Sequence, residues 1–422
     1  MTTGQSHPDQ PATFREVFNN RESVGLFSSY TLSTAGSMLT RVAVTFLVFA
    51  ATDSPLMAAA TFAITYAPYL GPAQILATLA DRFPYRSTMI ACDVIRMVLI
   101  GLVAIPGMPL WAMLVLVFAS AMVTPAYQAS RAALLQEILT GERLTLALSV
   151  LLTLSQSAQL TGYILGGVLA SIDPRMALLL TAAGFALSAA ILHLTVQRRP
   201  PAIAKSDRGR LLTDTAAGLR LVFGHPRLRL IAVIVFCVLA FTIIPEGAAA
   251  PWAAHLGGGA LLQGILMASA PLAAIVSSLV FTRFVPPATR QRYMRPLFML
   301  APVSLTLGLL DPAAWGAVAI GVVCNLSGAI LPTLNGMFAR ELPEGFRARA
   351  NAVMMGGMSL VQGIAVLSMG LLAQVGLSIP RSIGVWGVAG LAAGLVLMGL
   401  WTRLTAEPAE PKRASAEIAE TA

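Results

Sequence analysis

Long apolar stretches alternate with short polar breaks along the whole chain. Twelve apolar runs stand out, near 24–51, 56–79, 88–106, 110–130, 144–171, 176–196, 228–250, 260–282, 296–310, 314–338, 351–375 and 382–402. A helix needs roughly 20 mostly apolar residues to cross a bilayer. These runs have helical lengths and lack the two-residue alternation of a barrel strand. The pattern therefore predicts an all-α integral membrane protein with twelve transmembrane helices. The longest polar break, 197–227, divides the chain into six spans and six. Pro200 and Pro201 end the sixth run, and Leu211, Leu212, Leu219, Leu221, Val222 and Phe223 recur at helical spacing. An amphipathic helix at the inner membrane face is expected there.

The two halves repeat each other. EILTGERLTLA at 137–147 aligns with ELPEGFRARAN at 341–351, an offset of 204. LADRF at 79–83 echoes VFTRF at 280–284, an offset of 201. Both matches fall in equivalent loops, so the chain reads as a duplicated six-helix unit. The expected parts are an N-terminal tail (1–23), a first bundle (24–196), a linker (197–227), a second bundle (228–403) and a C-terminal tail (404–422).

Composition agrees with the pattern: 56% of residues are hydrophobic and only 11% charged, against about 25% charged in soluble chains. The net charge of +9 does not point to nucleic acid, because its placement follows topology. If the N-terminus is cytoplasmic, 24 of the 28 basic residues fall on inner segments. Arg175 and Arg381 alone fall on outer loops. This positive-inside bias predicts both termini in the cytoplasm of a cell-membrane protein. Cys92, Cys237 and Cys324 lie far apart within apolar runs and read as core residues. His7, His193, His225 and His255 are scattered. No zinc-protease helix, nucleophile elbow, Walker loop or metal-ligand cluster appears, so neither an enzyme nor an ATP-driven pump is expected. No metal or cofactor is expected either.

Four ionisable residues lie within the spans: Arg41, Asp93, Arg96 and Glu246. Charge in hydrocarbon is costly, so each is a functional candidate. Asp93 and Arg96 share a helix face and can pair. Glu246 sits in IIPEGAAAPW, between a proline and a glycine. Arg41 and Glu246 are 205 residues apart, close to the repeat offset, which gives them equivalent places on spans one and seven. Three readings of Glu246 stand at this stage. It carries a coupling proton opposite Arg41, or forms a structural pair with it, or caps a helix ending at Pro245 and meets water at the outer interface. Desolvation favours the neutral acid and a nearby guanidinium favours the carboxylate, so alternating access could switch it between two states. Ser37, Thr45, Thr124, Gln128, Phe241 and Asn325 are candidates for the wall of a mostly apolar cavity.

The loop after span two, GPAQILATLADRFPYR at 71–86, carries a family resemblance. Its Asp81, Arg82 and Arg86 fit the pattern Gly-x-x-x-Asp-Arg/Lys-x-Gly-Arg/Lys-Arg/Lys, with Ala77 and Pro84 in place of the glycines. The chain resembles the major facilitator superfamily. It looks most like the twelve-span drug:proton antiporter branch that includes macrolide-efflux-type exporters. The resemblance implies two pseudo-symmetric six-helix bundles with substrate bound between them. It also implies an inner gate in which Asp81 faces the start of span eleven near Asn351, with Asp93 and Arg96 bracing the network. Span five adds Gly162, Gly166 and Gly167 of a glycine packing motif, while Ala158 and Tyr163 stand where the branch has glycine and proline. Span four lacks the interior arginine of many such antiporters. The expected function is export of a hydrophobic or amphipathic small molecule in exchange for protons, by a monomer. The alternatives are a facilitator or importer of a specific metabolite, or a non-transporting sensor of the same fold.

Overall fold

A computed structural model describes residues 13–70, 83–199, 219–342 and 347–406. Twelve helical stretches can be followed among them. Span one is Arg21–Thr52, and span two starts as Pro55–Ala63 and tightens into a 3-10 turn at Ile64–Leu70. Span three is Tyr85–Val103, span four Leu110–Met122 plus Thr124–Ile138, span five Gly141–Ile172 and span six Pro174–Thr195. Span seven runs Pro226–Thr242, Ile244–Gly247 and Ala249–His255, and span eight is Gly259–Phe284. Span nine is Met294–Thr306 with a 3-10 end at Leu307–Leu310. Span ten begins at Ala314–Leu326 and ends with Leu331–Glu341; spans eleven and twelve are Arg347–Gln374 and Ile379–Ala406. Among the described residues, nine helices are long and apolar enough to cross a membrane. Large apolar side chains such as Leu152 (65% exposed) and Leu279 (67% exposed) cover the outside. That suits a lipid-facing surface, since each helix satisfies its own backbone polar groups and can turn apolar side chains to lipid.

The connections at one end are tight and capped. Asp53 takes a left-handed turn (φ 47°) between spans one and two, and the Ser54 hydroxyl accepts from Met57 N–H at 3.2 Å. Asp173 links spans five and six and caps Arg175 N–H at 2.8 Å. Such caps satisfy the orphan donors of a helix start.

Prolines bend the spans rather than ending them. Pro245 supplies no N–H, which breaks the helical ladder locally. The ladder resumes at once: Gly247 N–H reaches Ile243 O and Ala248 N–H reaches Ile244 O, each at 2.9 Å. Span seven therefore kinks and continues to His255. Of the three readings of Glu246, exposure at a helix end is overturned, because the residue is 8% exposed in the middle of a continuing span. The expected amphipathic helix falls largely on residues outside the described set; within it, 219–224 are helical, with Leu221 and Val222 buried.

The halves meet closely at the end where Asp53 joins spans one and two. A Cβ on Gly167 of span five would lie 3.0 Å from Gly264 Cα of span eight. One on Gly370 of span eleven would lie 2.5 Å from Ala59 Cβ of span two. Ser54 Oγ donates to Gln374 Oε1 at 2.7 Å. Gln263 of span eight donates to Val42 O at 3.1 Å and to Thr45 Oγ1 at 2.6 Å on span one. Small residues let these backbones touch, and they close this end of the bundle.

Candidate functional site

Span one carries a polar stripe, Ser29, Ser33, Ser37, Arg41 and Thr45, at four-residue spacing. Residues four apart share a helix face, so this stripe runs down the inside of the bundle. Two buried ion pairs hang on it.

The first joins the halves. Arg41 Nη1 lies 3.2 Å from Glu246 Oε1 and donates to Tyr163 Oη at 3.1 Å. The Tyr163 hydroxyl donates to the same Glu246 oxygen. Arg41 Nη2 reaches Thr65 Oγ1 at 3.5 Å, and the guanidinium stacks 4.8 Å from the Phe62 ring centre and 5.9 Å from that of Tyr66. Four spans, one, two, five and seven, thus contribute to one cluster. Charge-assisted bonds of this kind are about twice as strong as neutral ones. Breaking one partner out of such a buried pair is costly, because the other charge is left uncompensated.

The second pair lies within the first bundle. Arg96 Nη1 is 3.6 Å from Asp93 Oδ1 and donates to Ser33 Oγ at 3.1 Å. Ser33 and Ser188 donate to the two Asp93 oxygens at 3.2 and 2.6 Å. The Tyr127 and Phe185 rings lie 5.0 and 5.7 Å from the Arg96 guanidinium. Asp93 is fully buried and Arg96 is 4% exposed. Their partners sit on spans one, four and six.

A cavity of about 80 Å³ lies between the pairs. Arg41 and Arg96 both line it, with Ser37, Thr45 and Thr124 as the sequence suggested, joined by Thr40, Thr61, Thr65 and Ser120. Val44, Ile100, Val117 and Phe185 form its apolar wall. Gln128, Phe241 and Asn325, expected on the wall, do not line it. Asn325 turns back to Gly321 O of its own helix at 2.9 Å. Phe241 packs edge-on against Trp386, with ring centres 6.2 Å apart. Gln128 accepts from Tyr69 Oη at 3.4 Å.

The glycines of span five have a direct use. A Cβ on Gly162 would meet Ala35 O at 2.5 Å, and one on Gly166 would meet Val42 at 3.1 Å. They seat span five on span one, while Gly167 seats it on span eight. Asp81 and Arg82 lie outside the described residues. Arg86 donates to His193 O at 2.5 Å, and Arg21 to Leu194 O at 3.3 Å. Both cations sit on the last carbonyls of span six, where the helix dipole favours them.

Sequence reasoning missed several participants, among them Thr61, Thr65 and Ser120 of the cavity wall. Tyr163 registered only as a departure from the glycine motif. Gln263 and Thr40 gave no signal beyond polarity. The four-residue stripe on span one was the readable clue to Ser33.

A family model described as Major Facilitator Superfamily matches residues 26–330. No curated protein matches the sequence. Among solved structures, a POT family transporter in complex with 5-aminolevulinic acid has a TM-score of 0.73 at 14% identity, covering 94% of this chain and 98% of its own. The nucleoside transporter NupG has a TM-score of 0.70 at 14% identity, covering 90% of this chain and 100% of its own. At such low identity these two share the fold alone. With the family match spanning most of both bundles, the chain belongs to the Major Facilitator Superfamily and is a multi-pass membrane transporter rather than an enzyme.

Proposed function

We propose that the protein exports a hydrophobic or amphipathic small molecule in exchange for protons, with Glu246 as the proton-carrying group. It works as a monomer in the cell membrane, with both termini cytoplasmic and the bundles 24–196 and 228–403 moving about the linker 197–227. The observation that carries the reading is the Arg41–Tyr163–Glu246 cluster. It ties the first bundle to the second beside the closed end. Alternating access requires that tie to break. A proton on Glu246 removes the charge that holds Arg41, so protonation and opening are linked. The drug:proton branch named above supplies the antiport direction by resemblance, and the apolar spans favour a greasy cargo.

A second reading, movement of an acidic metabolite together with protons, is favoured by the cavity lining, which presents two guanidinium groups. One experiment tests the first reading: expression in a host lacking its own exporters, with accumulation of ethidium, rhodamine and carboxyfluorescein measured with and without a protonophore. Export reads as lower accumulation that the protonophore abolishes. Unchanged accumulation of all three dyes would contradict it.

A further inference from the structure

The cavity between the two ion pairs has an unusual charge pattern. Arg41 and Arg96 both face it, yet their carboxylate partners, Glu246 and Asp93, do not line it. Among the described residues no carboxylate lines it at all, while seven hydroxyl side chains do. Nη1 of each arginine lies nearest its carboxylate partner, Arg41 Nη2 reaches Thr65 of the cavity wall, and a guanidinium has five N–H donors. Thr40 faces the same space, is 8% exposed and has an Oγ1 without a hydrogen-bond partner. A buried hydroxyl left unpaired costs free energy.

We propose that this cavity is an anion site that takes the carboxylate head of a small organic acid, with the acid's apolar body against Phe185, Ile100 and Val117. The inference rests on the transporter reading of the fold and not on the direction of transport. Two cations and a set of hydroxyls give a carboxylate charge-assisted bonds and repel a cation. The size admits a head group: about 80 Å³ of free space is several times the roughly 10–15 Å³ that one water needs. The apolar wall selects against a fully hydrated ion such as inorganic phosphate. The groups around Glu246 are Arg41 of span one, Tyr66 of span two and Tyr163 of span five. An anion in the cavity competes with Glu246 for Arg41. Proton and anion therefore load together, which makes this ligand class the natural cargo of the second reading.

The test uses the purified full chain in detergent, with benzoate as the probe and benzylamine, benzyl alcohol and inorganic phosphate as comparisons, by titration calorimetry. Benzoate binds at least about tenfold tighter than the other three, the scale of one charge-assisted pair. Acidification, within the range where benzoate stays ionised, tightens its binding to the wild type and not to Glu246→Gln. The paired variant Asp93→Asn with Arg96→Gln removes both charges together and weakens benzoate binding by about tenfold or more. Ser120→Asp, which places a carboxylate on the wall without touching either pair, abolishes it. Equal or tighter binding of benzylamine would overturn the site, as would benzoate binding that Ser120→Asp leaves intact. Phosphate binding as tight as benzoate would overturn the carboxylate assignment. Benzoate binding without any benzoate movement in vesicles would keep the site and count against the acid as cargo. Absence of dye export leaves the site untouched, so the two proposals fail separately.

Discussion

Arg41 and Tyr163 hold the same oxygen of Glu246, the first from span one at 3.2 Å and the second by its hydroxyl from span five. One carboxylate oxygen therefore serves two donors from the opposite half. The second half contributes the acid, and the first half contributes both donors, Arg41 and Tyr163. This makes Glu246 the point at which a single proton acts on the contact between halves.

Removing the hydroxyl isolates its share. Tyr163→Phe keeps the ring and its packing but deletes a hydrogen bond to a charged group, worth about 1.5–3 kcal/mol. Thermal unfolding in detergent is expected to show a melting temperature lower by several degrees. An unchanged melting temperature would mean the bond contributes nothing.

The ion pair should behave as a unit. Arg41→Met leaves Glu246 buried and unpaired, at a cost of about 3–5 kcal/mol. Arg41→Met combined with Glu246→Leu removes both charges and is expected to recover most of that loss. A double-mutant cycle measures the coupling; additive losses would show that the two side chains act independently.

Close glycine contacts set how far the end that holds Asp53 can shut. Gly264→Leu forces a side chain against Tyr163 O and Gly167, which a Cβ alone would meet at 2.5 and 2.7 Å. Backbone cannot yield as a flexible side chain does, and overpacking of this kind costs about 1–3 kcal/mol. The variant is expected to favour the state open at this end, seen as faster thiol labelling of Ser54→Cys. Gly101→Ala, with nothing within 4 Å of its Cβ, serves as the neutral control.

The twelve spans were legible because bilayer thickness imposes one length on every crossing helix. The Arg41–Glu246 pairing was suggested by the repeat offset, which fixes equivalent positions without any side-chain detail. Pro245 was not decisive, since a proline can either end a helix or bend it; the bonds of Gly247 and Ala248 choose the bend. Tyr163 was hidden because an aromatic on an apolar helix reads as packing, and only the fold brings Glu246 to its hydroxyl. The cavity wall was half readable. Hydroxyls on span one follow a visible stripe, whereas Asn325 turns back to its own helix and Gln128 is taken up by Tyr69 of span two.

The most direct test of Glu246 as a proton-responsive tie needs no substrate. Spin labels at Asp53→Cys and Val375→Cys, both exposed at the closed end, report the separation of the halves once Cys92, Cys237 and Cys324 are replaced by serine or alanine. Acidification is expected to add a longer distance to the wild-type distribution, and Glu246→Gln to show that longer distance at every pH. A distribution that ignores pH in the wild type, or that Glu246→Gln leaves as pH-sensitive as before, would contradict the account.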